Sequence, residues 1–170
     1  MKYIFVTLVL FGLLQANLKN VQTFEANFTQ TVTNPSGSKI QYEGKVFFKN
    51  PALILWHYDD PKKDVLIQSS SVTIIEPDLE QVIVTKLQKQ INLITLLNEA
   101  KQIGKTQYIS TIYDTQYLLT IKNEQLESIF YKDQLENQVS IFFSHQKINE
   151  EILNSIFDLK IPDEFDIIRK

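Results

Sequence analysis

Ile40-Gln41-Tyr42-Glu43-Gly44-Lys45-Val46-Phe47-Phe48, a break at Asn50-Pro51, then Leu53-Ile54-Leu55-Trp56-His57-Tyr58: this stretch decides the fold. Two short apolar-rich runs bounded by turn residues read as two β-strands. In the second, Ile54, Trp56 and Tyr58 alternate onto one face, and Leu53 and Leu55 onto the other. Asp59-Asp60-Pro61 turns the chain, and further runs over 64–68, 72–75 and 81–87 follow at hairpin spacing. Strands separated only by turn residues predict an antiparallel meander.

Working outward, residues 91–100 place Ile91, Ile94 and Leu97 at helical spacing and predict a short helix. Strands are expected again over 107–113, 116–122, 125–131, 138–143 and 156–160, with Asp114-Thr115 and Asn123-Glu124 as two-residue turns. Residues 148–153 read as one helical turn, and 161–168 as a turn followed by a strand. Upstream, Leu18, Val21, Phe24, Phe28 and Val32 recur every three or four residues, which predicts an amphipathic helix. Asn34-Pro35-Ser36-Gly37-Ser38 ends it. The sum is mainly β with an α lid: one antiparallel sheet of about ten or eleven strands, too many to lie flat. Such a sheet should curl into a strongly curved, incomplete barrel, with two amphipathic helices covering an apolar cavity.

Met1-Lys2 precedes twelve residues, Tyr3 to Leu14, of which only Thr7 and Gly12 are not apolar, and Gln15-Ala16 follows. A positive start, a dozen apolar residues and a small residue describe a secretory signal peptide. A spanning helix needs roughly 20 apolar residues. Cleavage after Ala16 leaves residues 17–170 as one exported domain; the alternative is an uncleaved N-terminal anchor. The 170 residues carry 17 Lys+Arg, 20 Asp+Glu, four Gly and no Cys. Four dispersed glycines cannot build a nucleotide-binding loop. Without Cys there is no disulfide framework, thiol nucleophile or zinc ribbon, and a mildly acidic chain has no basic footprint for nucleic acid.

Catalytic constellations fare no better. Ser144, His57 or His145 and a nearby Asp could be assembled into a triad on paper, but no G-x-S-x-G elbow supports it. Glu150-Glu151, Asp59-Asp60 and Glu164 with Asp166 read as solvated carboxylates rather than a glycosidase pair. Two distant His give no metal site. Phe47-Phe48 and Phe142-Phe143 lack the basic groove of a stacking platform and read as core and cavity lining. No cofactor is expected.

Several strings together resemble one family. Phe24-Glu25-Ala26-Asn27-Phe28-Thr29-Gln30 resembles the F-x-A-x-F-x-Q signature of the LolA family, periplasmic carriers of outer-membrane lipoproteins. Gly44-Lys45-Val46-Phe47-Phe48-Lys49-Asn50-Pro51 is similar to its G-x-[VL]-x-[FV]-[KR]-R-P. Leu53 to Trp56 with Pro61, Asp78 to Val82, and Phe157-Asp158-Leu159-Lys160-Ile161-Pro162 follow in the family's order. The likeness spans about residues 18 to 168.

The resemblance implies a periplasmic, monomeric, non-enzymatic carrier. It would take acylated lipoproteins from an inner-membrane ABC transporter and pass them to an outer-membrane lipoprotein receptor, with only transient membrane-protein contact. Burying one methylene is worth roughly 0.8 kcal/mol, so a long acyl chain demands a large apolar pocket. With no nucleotide loop, the energy of extraction must come from a partner. Leu18, Phe24 and Phe28 would form the lid stripe of the first helix, and Ile94 and Leu97 that of the second. Ile54, Trp56 and Tyr58 would line the cavity, Trp56 foremost, while the family position at Ile54 is linked with partner engagement. The family usually carries an Arg before the Pro that latches the lid to backbone carbonyls. Here it is Asn50, too short to span the same gap, with Lys49 pointing to the opposite side. The receptor of the same fold needs a lipidated N-terminal Cys, which this chain lacks. A general carrier of lipids or other hydrophobic ligands remains the alternative, since an apolar cavity says little about its cargo.

Overall fold

The computed structural model describes residues 21–86 and 93–170, without the side chains of Leu93 and Ile94. These residues form a 12-stranded open sheet in the order β12-β6-β5-β4-β3-β2-β1-β11-β10-β9-β8-β7. The first meander is β1 (Thr23–Thr33), β2 (Lys39–Lys49), β3 (Leu53–Tyr58), β4 (Lys63–Gln68), β5 (Ser71–Glu76) and β6 (Gln81–Lys86). A short helix, α1 (Leu93–Glu99), leads to the second meander. That comprises β7 (Lys101–Gln102), β8 (Gln107–Ile112), β9 (Thr115–Lys122), β10 (Gln125–Lys132) and β11 (Gln138–Ile148). The chain ends in β12 (Asp166–Arg169).

The segment expected as the first helix is a strand. Phe24, Phe28 and Val32 recur every four residues, a spacing that fits a helix face and a strand face equally. Ala26 decides between them: it is fully buried between Phe24 and Phe28, while Glu25 and Asn27 face the other way. Thr23, Thr29, Thr31, Val32 and Thr33 favour the extended chain because branching at Cβ stiffens χ1. β1 pairs with β2 on one side and β11 on the other, at the centre of the sheet. Leu18 lies outside the described residues. Of the two expected helices the described residues contain one, α1, within the expected 91–100 segment and packed against β8.

Other corrections are local. The 156–160 run makes no strand; a 3-10 turn at Asn154–Phe157 carries Phe157 into a buried position. The helical turn expected over 148–153 is absent, since Ile148 still belongs to β11. The first hairpin turn sits one residue earlier than expected, with Tyr113 and Asp114 at φ 47° and 67°. Asn123 and Glu124 form theirs as expected, at φ 49° and 62°. The sheet is not wholly antiparallel either. The chain after β11 crosses the outer face of the first meander and brings β12 alongside β6 in parallel, a pairing that needs such a crossover.

The inner face carries the main core, including Phe24, Phe28, Val46, Phe48, Leu119 and Leu126. A smaller cluster of Leu55, Ile152 and Phe157, with Phe47 and Leu66 beside it, lies on the outer face. Alternation along β3 accounts for both, because Ile54 enters the first cluster and Leu55 the second. Gly44 sits between Phe28 and Tyr58 in register. An added Cβ would stand 2.0 Å from the backbone oxygen of His57, so no larger residue fits. The missing side chain lets the Phe28 and Tyr58 rings meet edge to face over it, centroids 5.1 Å apart.

Candidate functional site

The inner faces of both meanders and helix α1 line an apolar pocket of about 250 Å³. Its walls come from the alternation of each strand. β1 to β4 contribute Phe24, Val46, Phe48, Ile54, Trp56 and Ile67; β9 to β11 contribute Tyr117, Ile129, Tyr131, Ile141 and Phe143; α1 adds Leu96. Aromatic rings bind the walls together. Phe24 meets Phe143 across the β1–β11 seam with centroids 5.7 Å apart, and Phe28 meets Trp56 at 4.9 Å, both edge to face. Such pairs contribute about 0.5–1.5 kcal/mol beyond their burial.

The cross-strand register arranges the inner face into rungs. Gln30, Ile141, Ile129, Leu119 and Tyr108 form one. Val32, Val139, Tyr131, Tyr117 and Ser110 form the next. Burial pushes the Tyr58 and Tyr131 phenols up to about 12, with neighbouring phenols adding to the effect. Tyr117 is raised by burial too, against an opposing hydrogen bond from Thr115. Tyr58 donates its hydroxyl to Gln30 Oε1 at 3.1 Å, and the Lys63 ammonium lies 4.5 Å from its ring centre.

Of the residues singled out from sequence, Phe24, Ile54 and Trp56 line the pocket. Phe28 and Tyr58 pack in the same core beside Trp56, and Leu97 is buried there while its neighbour Leu96 faces the pocket. Ile94 belongs to α1, but its side chain is not among those described. Of the wall contributed by β9 to β11, sequence reasoning found only Phe143, through the Phe142-Phe143 pair read as core and cavity lining, and missed Tyr117, Ile129, Tyr131 and Ile141. Alternation in each strand was visible there, yet only the pairing of β1 with β11 brings those faces opposite Phe24 and Trp56.

Asn50 donates from its backbone N–H and from Nδ2 to Gln22, to O and Oε1 respectively, each at 2.8 Å. Lys49 does point the other way: Nζ donates to the Ile152 carbonyl at 2.8 Å and to Asn154 Oδ1 at 2.6 Å. It fastens the C-terminal crossing to the outer face. On that face a polar groove runs past Asn27, Glu43, Lys45, His57 and Ser144. His57 Nδ1 pairs with Asp64, and Ser144 Oγ with His145 at 3.2 Å. Ser144 on β11 stands three strand spacings from His57 on β3, roughly 14 Å, so that version of the triad is not assembled. His145 does lie beside Ser144, but the further contact of its Nδ1 is with the Asn27 amide rather than an Asp. All six paired carboxylates considered above are exposed. Among the described residues no cluster of His, Cys, Asp and Glu could hold a metal ion. The Phe pairs divide between the faces: Phe48 and Phe143 line the pocket, while Phe47 and Phe142 face outward.

Residues 19–160 match the family described as "Outer membrane lipoprotein carrier protein LolA". The chain belongs to the LolA family. A Campylobacter jejuni protein named outer-membrane lipoprotein carrier protein is 37% identical over 151 residues, covering 88% of each chain. A Wolinella succinogenes protein of the same name is 33% identical over 165 residues, covering 95% of this chain and 96% of its own. An uncharacterized conserved protein from Thermus thermophilus shares the fold alone, at 8% identity and a TM-score of 0.56 over 89% of this chain and 93% of that one. Within this LolA-family chain the Phe24–Gln30 motif is part of β1, and the Phe157–Pro162 motif belongs to the crossing over the outer face.

Proposed function

We propose that this LolA-family chain carries acylated lipoproteins through the periplasm, receiving them from an inner-membrane ABC transporter and passing them to an outer-membrane receptor. The observation that carries the reading is the apolar pocket between two meanders of a chain whose relatives bear the carrier name. Residues 1–16 act as a cleaved signal peptide and 17–170 as the carrier domain. Acyl chains contact Phe24, Ile54 and Trp56, with Phe28, Tyr58 and Leu97 supporting them. The carrier works by binding alone, as a monomer, without catalysis or a cofactor.

The pocket of about 250 Å³ falls below the ~300–1,000 Å³ of ordinary small-ligand sites. Loading therefore requires α1 to lift from β8, which gives this short helix the part of a lid. Asn50 ties itself to Gln22 with short neutral hydrogen bonds, so closure relies on apolar contact. Asn50→Arg is expected to tighten the lid and slow handoff to the receptor, measured as transfer kinetics; unchanged transfer removes that role. The central test is native mass spectrometry of the protein purified from the periplasm. Bound acylated protein is the expected result. Free phospholipid would favour a general lipid carrier, and an empty protein across several preparations would overturn both.

A further inference from the structure

Trp56, Tyr117 and Tyr131 are the pocket residues whose side chains carry a polar atom; the other nine lining residues are Phe, Ile, Val or Leu. Each of the three can donate a hydrogen bond, and no lining residue is charged. The two phenols are not scattered. They are directly paired on β9 and β10, with rings 5.1 Å apart, and Ser110 on β8 continues their rung. Ser110 is 1% exposed, and its hydroxyl has no hydrogen-bond partner among the described residues. The neighbouring rung holds Ile129 and Leu119 at the positions matching Tyr131 and Tyr117, and Tyr108 at the one matching Ser110. Two adjacent phenols therefore interrupt an otherwise hydrocarbon stretch of the lining, with the buried Ser110 hydroxyl next to them on the rung and outside the lining.

Taking the carrier reading as its basis, we infer that the Tyr117–Tyr131 pair is a subsite for the uncharged acceptor groups of the cargo. These are the ester or amide carbonyls that join acyl chains to their head, with Tyr117 and Tyr131 as the donors. The hydrocarbon then lies towards Phe24, Phe48 and Ile54. Burial of Tyr131 keeps its proton in place far above neutral pH, so the donor is permanent. A carboxylate head fits poorly, because it would be buried in a pocket that offers no cation.

The test compares a dipalmitoyl glycerol diester with its dialkyl-ether analogue of equal chain length. The ether keeps the hydrocarbon and loses both carbonyls. Trp56 is the single tryptophan, and its emission reads binding of each lipid to the mature protein. The diester is expected to bind about tenfold more tightly than the diether, equivalent to about 1.4 kcal/mol. The double variant Tyr117→Phe with Tyr131→Phe should bring the diester down to the diether level and leave diether binding unchanged, which also shows that the variant's pocket is intact. Equal binding of the two lipids to the unmodified protein, or tighter binding of free palmitate than of the diester, would overturn the subsite while the carrier reading stands. Binding of none of the three lipids would overturn both.

Discussion

Gly44 has little freedom to change. Its missing Cβ makes room for the His57 carbonyl and lets Phe28 and Tyr58 close over the backbone. Gly44→Ala must push β2 from β3, and overpacking of this kind costs about 3 kcal/mol. The melting temperature should fall by roughly 10 °C for a chain of this size; a variant melting within a degree or two of the parent would refute the close-approach account. Tyr58 and Tyr131 supply a second measurement at this scale. Their phenols are raised from 10.0 to about 12 on folding, so the native state holds protons that the unfolded chain releases first. Stability from this source is complete below pH 10 and is lost as pH rises towards 12. A melting temperature flat from pH 7 to 9 and falling beyond 10 is expected. Tyr58→Phe with Tyr131→Phe should flatten that decline.

At the scale of elements, the C-terminal crossing stands apart from the pocket. Phe157 and Ile152 cover Leu55 on the outer face, and Lys49 holds their backbone. Phe157→Ala should cost about 3 kcal/mol as a large-to-small change in a buried cluster. Lipid binding read from Trp56, on the inner face, should not change; a variant that loses both would show that the two faces are coupled through β3. The strands of the first meander were legible from sequence because Pro, Asp and Ser punctuate them and β3 alternates cleanly. β1 was not, since Phe24 and Phe28 satisfy two periods at once and the small Ala26 carries little apolar signal. Two-residue β7 has no alternation to read. The phenol pair was equally hidden: Tyr117 and Tyr131 belong to two strands, and only their register puts them side by side.

For the whole molecule, the connectivity matters more than the strand count. The first meander is bracketed by two successive strands of the second half, β11 against β1 and β12 against β6. Neither meander is complete alone. The family resemblance was legible across both halves, because its motifs fall on β1, on β2, on β3 and in the terminal crossing. The lid was less so, because amphipathic periodicity promised two helices and the described residues contain one.

The placement of β12 also bears on how the chain behaves among other proteins. An open sheet invites other chains to add themselves to its ends, and short terminal strands blunt that invitation. Here the ends are the two shortest strands, β7 of 2 residues and β12 of 4. Directly inside β12 lies Gln81-Val82-Ile83-Val84-Thr85-Lys86, a six-residue, β-prone segment with a single charge, of the kind that templates amyloid-like stacking. Ending the chain after Ile161 removes that shield while sparing Phe157 and Ile152. Light scattering should then show concentration-dependent aggregation in the truncated protein and none in the full-length one. On that outcome, four residues at the tail guard the sheet against self-association.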